Sequence, residues 1–420
     1  MTDVGTSAPA LVRTLVADLA GLAGRAARVC GWAEADGAVR DHTGRLPLVG
    51  APAGVAPGSA IDVVGTVDAG PPTALAVEEL RVVGPADGPL PVDERSALED
   101  RLDWRWVDLR RPRNRLVFEV QTTAEHAMRQ WWRDHGFVEI HSPKVRGYPN
   151  QSGRELFTVQ YFDAPAYLVQ SPQFYKQMAM AAGLDRVFEI GPVFRANPLV
   201  TARHDTEFTS VDVEISWIDS LDDLLDVEER WMRHVITAVS REHAADIQRL
   251  YGREVVVPET PFPRVTMAEA RAILASHGHT DLPEGDLDAE GERILGRHVR
   301  EATGSEFVYV TEYPEAVRPF YHMRLGEGSG LTRSFDLLWN GLEVTTGAQR
   351  EHRYDRLLAQ ARRNPARVEV IRTYLDFFRF GCPPHGGFGV GLTRMLMCLL
   401  DVGDVREVTY LHRGRHRLRP

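Results

Sequence analysis

Hydrophobic and polar residues follow two different patterns along this chain, and the change falls near residue 116. In the first part, short apolar stretches are separated by glycine, proline and aspartate, a pattern that predicts β-strands joined by tight turns. The predicted strands cover residues 27–29, 46–49, 60–67 and 74–83. Short strands this close together are typical of a small β-barrel, and the proline-bounded stretch 85–91 is typical of a linker.

From residue 116 onward the patterns are longer and mixed. Apolar residues recur with helical spacing over residues 117–132, and residues 137–140 alternate as in a strand. Other stretches predict strands at 166–169, 186–190, 211–218, 307–310 and 341–346, and helices at 173–182, 222–243, 267–277, 292–302 and 365–379. Since these elements do not alternate regularly as strand–helix–strand units, they favour an antiparallel sheet with helices packed around it. We therefore predict an α+β fold with a barrel-like domain at 1–88, a hinge at 89–115 and a larger domain at 116–420.

Composition narrows the classes of function. Hydrophobic residues make up 43% and charged residues 26% of the chain, which is ordinary for a globular protein. No apolar run reaches the roughly 18 residues of a membrane-spanning helix, so we predict no membrane partner. The net charge of −10 argues against a protein that coats nucleic acid, although it does not exclude local recognition of an RNA. Three cysteines without metal-ligand spacing predict reduced thiols and a cytoplasmic location.

Lysine is almost absent from the chain. Of the 49 basic residues only Lys144 and Lys176 are lysines. A guanidinium cannot replace a compact, strongly hydrated ammonium. A lysine in such an arginine-rich chain is therefore a candidate functional residue. The alternative is that the two lysines remain by chance and have no special role.

Two segments far apart in the chain have the residue types that bind a nucleoside triphosphate. In the first, Arg195 stands at a predicted strand edge, where its guanidinium could meet a phosphate on which charge builds, and the ring of Phe208 could stack on a base. In the second, alternate glycines from Gly387 to Gly391 lead to Arg394 at the start of a predicted helix, whose backbone amides also favour phosphate. Glycine runs also occur in ordinary loops, and it is the pairing of the two segments that makes the prediction specific.

Two carboxylates complete this candidate site. Asp336 and Glu343 lie on either side of Trp339-Asn340-Gly341, a sequence that predicts a tight turn between neighbouring strands. Such a hairpin would present both carboxylates to one Mg2+, a cation that prefers oxygen ligands.

The two arginine segments resemble motifs 2 and 3 of the class II aminoacyl-tRNA synthetases. From about residue 26 to Pro420 the chain resembles the aspartyl-tRNA synthetases of the archaeal and eukaryotic type, with marker sequences at 102–112, 170–177, 335–337, 347–350 and 383–389. The resemblance implies a class II antiparallel sheet flanked by helices, with an N-terminal OB-like β-barrel. It also implies that aspartate is activated with ATP and Mg2+ as aspartyl-adenylate and transferred to tRNA. Residues 137–144 resemble motif 1, which implies a homodimer.

The resemblance assigns the candidate site residue by residue. Lys176 and Arg350 match the two cations that hold the side-chain carboxylate of aspartate; asparagine would leave these buried charges unanswered. The other residues matched to aspartate binding are Gln151, Gln173, Asp212 and Thr346. Arg195 and Arg394 match the catalytic cations. The residues matched to ATP are Arg195, Arg203, His204, Phe208, Glu343, Gly391 and Arg394, and those matched to Mg2+ are Asp336 and Glu343.

The chain departs from the family pattern at several functional positions. Gln151 stands where the closing loop of the family has a glutamate, and Asn197 and Thr393 replace acids near the phosphate-binding arginines. The barrel is short between Trp32 and Arg40, where the family has a hairpin with anticodon contacts.

These observations leave three hypotheses. The leading one is an aspartate–tRNA ligase that charges tRNA(Asp) alone or together with tRNA(Asn). The second is a paralogue that activates aspartate or an analogue for an acceptor other than tRNA, as the short barrel would allow. The third is a non-catalytic regulatory protein, which the complete set of ATP and metal residues makes the least favoured.

Overall fold

The computed structural model describes residues 11–68, 70–148, 156–198, 201–363 and 365–419. The chain divides into two compact units, Met1–Pro112 and Arg113–Pro420. Among the described residues, no helix combines the length and the apolar character that crossing a membrane requires.

The first unit contains a six-stranded sheet. Its strands are β1 Ala26–Ala33, β2 Val39–Arg40, β3 Arg45–Leu46, β4 Leu48–Val49, β5 Ala60–Asp68 and β6 Ala74–Gly84, in the order β3-β2-β1-β5-β6-β4. Only Pro47 separates β3 from β4 in the chain although they lie at opposite edges, so the sheet curves towards a closed barrel. The predicted OB-like barrel is thereby confirmed. A 3-10 helix, Val16–Leu22, and the helices α1 Leu98–Asp103 and α2 Arg105–Asp108 also belong to this unit.

An apolar core fills this curved sheet. Val29, Val63 and Leu75 are completely buried, and Leu19 of the 3-10 helix lies in the same cluster. In β5, buried residues recur at every second position, the period of a strand with one face in a core.

The second unit contains eleven strands in its described part. They are β7 Val138–Glu139, β8 Val145–Arg146, β9 Thr158–Tyr161, β10 Ala164–Leu168, β11 Arg186–Phe194, β12 Glu207–Ser216, β13 Arg264–Thr266, β14 Phe307–Thr311, β15 Ser334–Trp339, β16 Leu342–Gln349 and β17 His385–Gly391. Eight form a sheet in the order β13-β14-β15-β16-β17-β12-β11-β7, and β8-β10-β9 form a smaller sheet. The six central strands are antiparallel, as predicted. The edge strands β13 and β7 instead pair parallel with their neighbours.

Helices surround this sheet. They are α3 Pro112–Asp134, α4 Gln173–Ala181, α5 Asp222–Tyr251, α6 Met267–Ser276, α7 Ala289–Thr303, α8 Tyr354–Ala361, α9 Pro365–Val370, α10 Arg372–Asp376, α11 Leu392–Leu400 and α12 Val405–Val408. α3, α5 and α11 share one core with the sheet, in which the rings of Trp132 and Trp231 stack with centroids 5.0 Å apart. The single helix predicted at 365–379 is wrong in detail, because α9, α10 and a 3-10 helix at Phe377–Phe380 divide it.

β12 and β17 separate the apolar core from a polar face of the sheet. Alternate apolar residues of β12 belong to the core, so Asp212 and Glu214 between them point to the opposite face. On β17 the apolar residues likewise lie in the core, and glycines occupy the positions between them. At Gly387 a Cβ atom would lie 2.0 Å from the backbone oxygen of Val213, so the close approach of the strands requires glycine there.

β15 and β16 form the predicted hairpin. Asn340 and Gly341 have φ angles of 49° and 75°, the pair of positive values that an Asn-Gly turn of two residues adopts. Asp336 lies opposite Thr346, and Leu338 lies opposite Glu343. The two carboxylates predicted to bind Mg2+ are therefore carried by neighbouring strands.

Candidate active site

One cavity of about 620 Å³ lies on the polar face of the eight-stranded sheet, a size typical of small-molecule sites. Among the predicted site residues, Asp336 forms an ion pair with Arg318, which lines the cavity. Gln151 lies outside the described residues. The other predicted site residues all line it: Gln173, Lys176, Arg195, Arg203, His204, Phe208, Asp212, Glu343, Thr346, Arg350, Gly391 and Arg394.

The two arginine segments meet in this cavity. Arg195 follows β11, and its guanidinium carbon lies 5.2 Å from the centre of the Phe208 ring on β12. Arg394, in the first turn of α11, donates from Nη1 to a backbone oxygen of β16 at 2.8 Å. Burial, followed by the charges of Arg394, Arg203 and Arg195, lowers the pKa of His204 to about 4, so its imidazole is neutral at pH 7. Such a concentration of positive charge suits a polyphosphate.

Carboxylates lie beside this positive cluster. Arg318 donates from Nη2 to Oδ2 of Asp336 at 2.5 Å, while Oδ1 of Asp336 is buried without a hydrogen-bond partner in the described part of the chain. Burial, and then the negative charge of Asp336, raise the pKa of Glu343 to about 7. Glu292 accepts a hydrogen bond from the backbone nitrogen of Glu343 at 3.2 Å. Neighbouring carboxylates with an unused oxygen fit a divalent cation with oxygen ligands.

Lys176 lies in α4 with its side chain almost completely buried. Its Nζ lies 3.0 Å from Oδ1 of Asp212 and 3.4 Å from Oε2 of Glu214. It also donates to the backbone oxygens of Val213 and Phe388, each at 3.1 Å. The ammonium therefore holds two carboxylates of β12 together.

Arg350 completes this ion cluster. Its Nε donates to Oε1 of Glu214 at 3.0 Å, and its Nη2 donates to the backbone oxygen of Gly387 at 2.8 Å. Its Nη1 lies 3.1 Å from Nε2 of His322. Burial, and then the nearby cations, hold the pKa of His322 well below its ordinary value, so the neutral ring accepts this hydrogen bond. The expectation that these two cations lack counter-charges within the chain is wrong, because Asp212 and Glu214 supply them.

Gln173 and Thr346 add polar groups to the cavity wall. Gln173 begins α4, and its Nε2 is buried without a hydrogen-bond partner among the described residues. Thr346 accepts a hydrogen bond from Nη1 of Arg318 at 3.3 Å. Both side chains line the cavity and could contact a ligand there.

Several residues of this wall were not predicted from the sequence, among them Arg146, Arg318 and His322. Glu214, the buried partner of Lys176 and Arg350, was not predicted either. Glu214 had a usable signal, because it lies two positions after Asp212 on a predicted strand and must share its face. Arg318 and His322 lie in a segment without a regular helix or strand, and Arg146 lies in a strand of two residues. None of these three has a periodic pattern around it.

Comparison with known proteins agrees with this geometry. Residues 97–414 match the family of class II tRNA synthetases (D, K and N). The chain is 43% identical over 352 residues to the aspartate–tRNA(Asp/Asn) ligase of Aeropyrum pernix, covering 82% of this chain and 79% of the relative. It is 41% identical over 348 residues to the aspartate–tRNA(Asp) ligase of Pyrococcus abyssi, with the same coverage of both chains. These relatives are named for tRNA as acceptor, so the comparison does not favour a different acceptor.

Solved structures have a similar fold. The asparaginyl-tRNA synthetase of Pyrococcus horikoshii complexed with asparaginyl-adenylate superposes with a TM-score of 0.88 at 28% identity, covering 97% of this chain and 100% of that one. The aspartyl tRNA synthetase of Entamoeba histolytica gives a TM-score of 0.84 at 26% identity, covering 98% and 93%. The chain therefore belongs to the class II aminoacyl-tRNA synthetases, an enzyme family that uses ATP, and within it to the branch for aspartate, lysine and asparagine.

Proposed function

We propose that this chain is an ATP-dependent aspartate–tRNA ligase. The observation that carries the proposal is that one cavity joins the arginines around Arg195 and Arg394 with the ion cluster of Lys176 and Arg350. The first group suits a triphosphate and the second suits an acidic side chain. A shared cavity would hold the carboxylate of the amino acid against the α-phosphate of ATP.

In the first step, an oxygen of the aspartate α-carboxylate attacks the α-phosphorus of ATP, the bond to the β-phosphate breaks, and pyrophosphate leaves. Arg195 and Arg394 would stabilise the charge that develops on the phosphoryl oxygens, because fixed donors in a partly buried site need no rearrangement. Phe208 would stack on the adenine. Arg203 and His204 would contact the outer phosphates, and Gly391 would let the backbone approach the nucleotide.

Selection of aspartate would come from charge balance. The α-ammonium of the substrate would form an ion pair with Asp212, and Gln173 would lie beside it. Lys176 and Arg350 together carry one more positive charge than Glu214 neutralises. The side-chain carboxylate of aspartate would neutralise that remaining charge. A neutral amide in that position would leave a buried charge unanswered, which is costly.

Thr346 and Gln151 complete the proposed aspartate site. Thr346 would contact the substrate near its carboxylate, and Gln151 would contribute from the closing loop.

Asp336 and Glu343 would hold Mg2+. In proteins this ion is usually bound by one or two carboxylates together with phosphates of the substrate. Within the described ranges, no three His, Cys, Asp or Glu side chains form a metal-binding group. Bound Mg2+ would neutralise charge on the triphosphate. Since burial and the charge of Asp336 raise the pKa of Glu343, protons should compete with the ion as the pH falls.

In the second step, a hydroxyl at the 3′ end of tRNA attacks the carbonyl carbon of the adenylate, and AMP leaves. Residues 1–88 would act as the OB-like domain that contacts the tRNA, residues 89–115 as the hinge, and residues 116–420 as the catalytic domain. Barrels of this type bind unpaired bases on their strands and loops.

We also infer a cytoplasmic homodimer. β7 has one neighbour in the described sheet, so its other edge is free to pair with a second copy. Val138 on that strand is 48% exposed. The cysteines Cys30, Cys382 and Cys398 are unpaired, which suits a reducing compartment.

The test is charging of total deacylated tRNA from the source organism with labelled aspartate and ATP. We expect acid-precipitable aspartyl-tRNA, and sequencing of the charged pool will show whether tRNA(Asn) is charged along with tRNA(Asp). Aspartate-dependent pyrophosphate exchange without any charging would overturn the ligase and leave activation alone. Absence of both reactions would reject the proposal entirely.

A further inference from the structure

Arg146 is a cation of the cavity wall for which the proposed reaction has no use. It ends β8, opposite Tyr167 of β10, and lines the cavity. Only 7% of the residue is exposed. Its guanidinium carbon lies 5.5 Å from the centre of the Tyr148 ring.

The Arg146 guanidinium has unused hydrogen-bonding capacity. Its Nε and Nη2 are both buried, and neither has a hydrogen-bond partner among the described residues. These two nitrogens lie on the same edge of the guanidinium, the edge that makes two parallel hydrogen bonds to one carboxylate. A buried charged group without partners is costly, so this edge is better explained as a binding group than as a structural one.

Charge pairing separates Arg146 from most of the other cations of the cavity. No ion pair joins Arg146 to a carboxylate in the part of the chain that the structure describes, and burial lowers its pKa. Five other cations that line the cavity each form an ion pair with a carboxylate: Lys176, Arg203, Arg318, Arg350 and Arg394. The charge of Arg146 is thus available to an anion from outside.

The position of Arg146 connects it with the amino-acid end of the cavity. Burial, and then the neighbouring Tyr175 of α4, raise the pKa of Tyr148, the ring that packs against Arg146. The same helix carries Gln173 and Lys176, both assigned to the amino acid.

We propose that Arg146 is a specificity-determining residue that binds a carboxylate of the amino-acid substrate, distinct from the side-chain carboxylate assigned to Lys176 and Arg350. The inference rests on the proposed function in one respect, since it takes the amino acid to occupy this part of the cavity. Two sources of that carboxylate share the same chemistry. One is the α-carboxylate of aspartate itself, and the other is a further acidic group on a larger amino acid.

The experiment is calorimetric titration of three ligands into the wild-type chain and Arg146→Gln. The ligands are aspartate, its α-amide isoasparagine, which lacks the α-carboxylate, and 3-carboxyaspartate, which has an additional one. Loss of a charged two-point hydrogen bond should weaken the affected ligand by about 10- to 100-fold. Arg146→Lys, which keeps the charge but not the two-point geometry, should fall between the two.

Each pattern of results is decisive. Weakened aspartate with unchanged isoasparagine supports the proposal and identifies the α-carboxylate. A loss confined to 3-carboxyaspartate supports it and identifies a larger acidic substrate. The same change for all three ligands, including no change, overturns it.

Two controls keep a folding defect apart from a binding defect. Arg146→Gln should melt no lower than the wild-type chain, because it removes a buried unpaired charge. The exposed Arg379→Gln should bind every ligand as the wild type does. These titrations need neither ATP nor tRNA, so a failed charging assay would reject the ligase without deciding the role of Arg146.

Discussion

The Arg350 guanidinium donates to the Glu214 carboxylate at 3.0 Å from Nε to Oε1, and Glu214 is completely buried between Arg350 and Lys176. Burial on its own would raise the pKa of Glu214, but Arg350 and Lys176 outweigh it and lower the pKa below its ordinary value. The carboxylate is therefore ionised at neutral pH. An acidic substrate would therefore meet one surplus positive charge here, and only when its own α-ammonium pairs with Asp212, the other partner of Lys176.

Replacing Lys176 by methionine should abolish aspartate activation and destabilise the chain. The change leaves Asp212 and Glu214 without their shared cation, and breaking a buried ion pair in this way costs about 3–5 kcal/mol. The double variant Lys176→Met/Glu214→Gln should recover much of that stability without recovering activity. Thermal unfolding and aspartate-dependent pyrophosphate exchange measure the two effects. Normal aspartate kinetics in Lys176→Met would remove this residue from the binding site.

Arg394→Ala should raise the KM for ATP by about tenfold or more and leave the KM for aspartate nearly unchanged. Its guanidinium is fixed at the cavity by the hydrogen bond to the backbone oxygen of Glu343 at 2.8 Å, and a charged hydrogen bond to phosphate contributes about 1.5–3 kcal/mol. Initial-rate pyrophosphate exchange at varied ATP checks this. Arg249→Ala on the exposed side of α5 serves as the matched control. An equal rise in both KM values would contradict a specific contact with the nucleotide.

Gly387→Ala should destabilise the chain and damage the site together. The added Cβ would lie 2.4 Å from Oε2 of Glu214 and closer still to a backbone oxygen of β12, so the strands must separate. Overpacking of this kind costs about 1–3 kcal/mol. Gly403→Ala is the control, since no atom lies within 4 Å of its added Cβ. Denaturant unfolding of both variants measures the difference, and equal midpoints would show that the strands can yield.

Glu228→Gln should remove a pH dependence of stability. Glu228 is completely buried and accepts a hydrogen bond from the Tyr309 hydroxyl at 3.1 Å, and burial raises its pKa to about 8. Between its unfolded value and pH 8 the folded state holds a proton that the unfolded state releases. The free energy of unfolding should therefore fall as pH rises through that window, by up to about 1.4 kcal/mol per pH unit.

The glutamine variant lacks this proton, so its stability should exceed that of the wild type by a margin that grows from pH 5 to pH 8 and then levels off. Urea unfolding at pH 5.5, 7 and 8.5 tests this. The exposed Glu284→Gln provides the comparison. Parallel pH curves for wild type and Glu228→Gln would show that Glu228 is already ionised in the folded chain.

Much of the fold could be predicted because its signals are local. The alternation on β12 and β17 shows which face each residue takes, and Asn340-Gly341 specifies a hairpin turn by its own backbone preferences. The direction of the edge strands could not be predicted in this way, since β7 has only two residues and pairs with a strand distant in the chain.

The same distinction between local and tertiary signals applies to the residues of the site. Residues within motifs, such as Arg195 and Arg394, were assigned from the order of the sequence and do line one cavity. The residues that form ion pairs with other predicted site residues lie outside the motifs. Arg318 lies outside regular elements, and its ion pair with Asp336 depends on a tertiary contact that no local pattern records.

The glycines of β17 mean that one wall of the cavity consists of main chain alone. Main-chain atoms are common to all residue types, and at Gly387 a side chain cannot offer a ligand a new functional group without forcing the strands apart. A different amino-acid preference in this chain would depend mainly on side chains of α4, β8, β12, β16 and the segment that carries Arg318 and His322. Most of those side chains already belong to one charge network, so such a change would require compensating substitutions in concert.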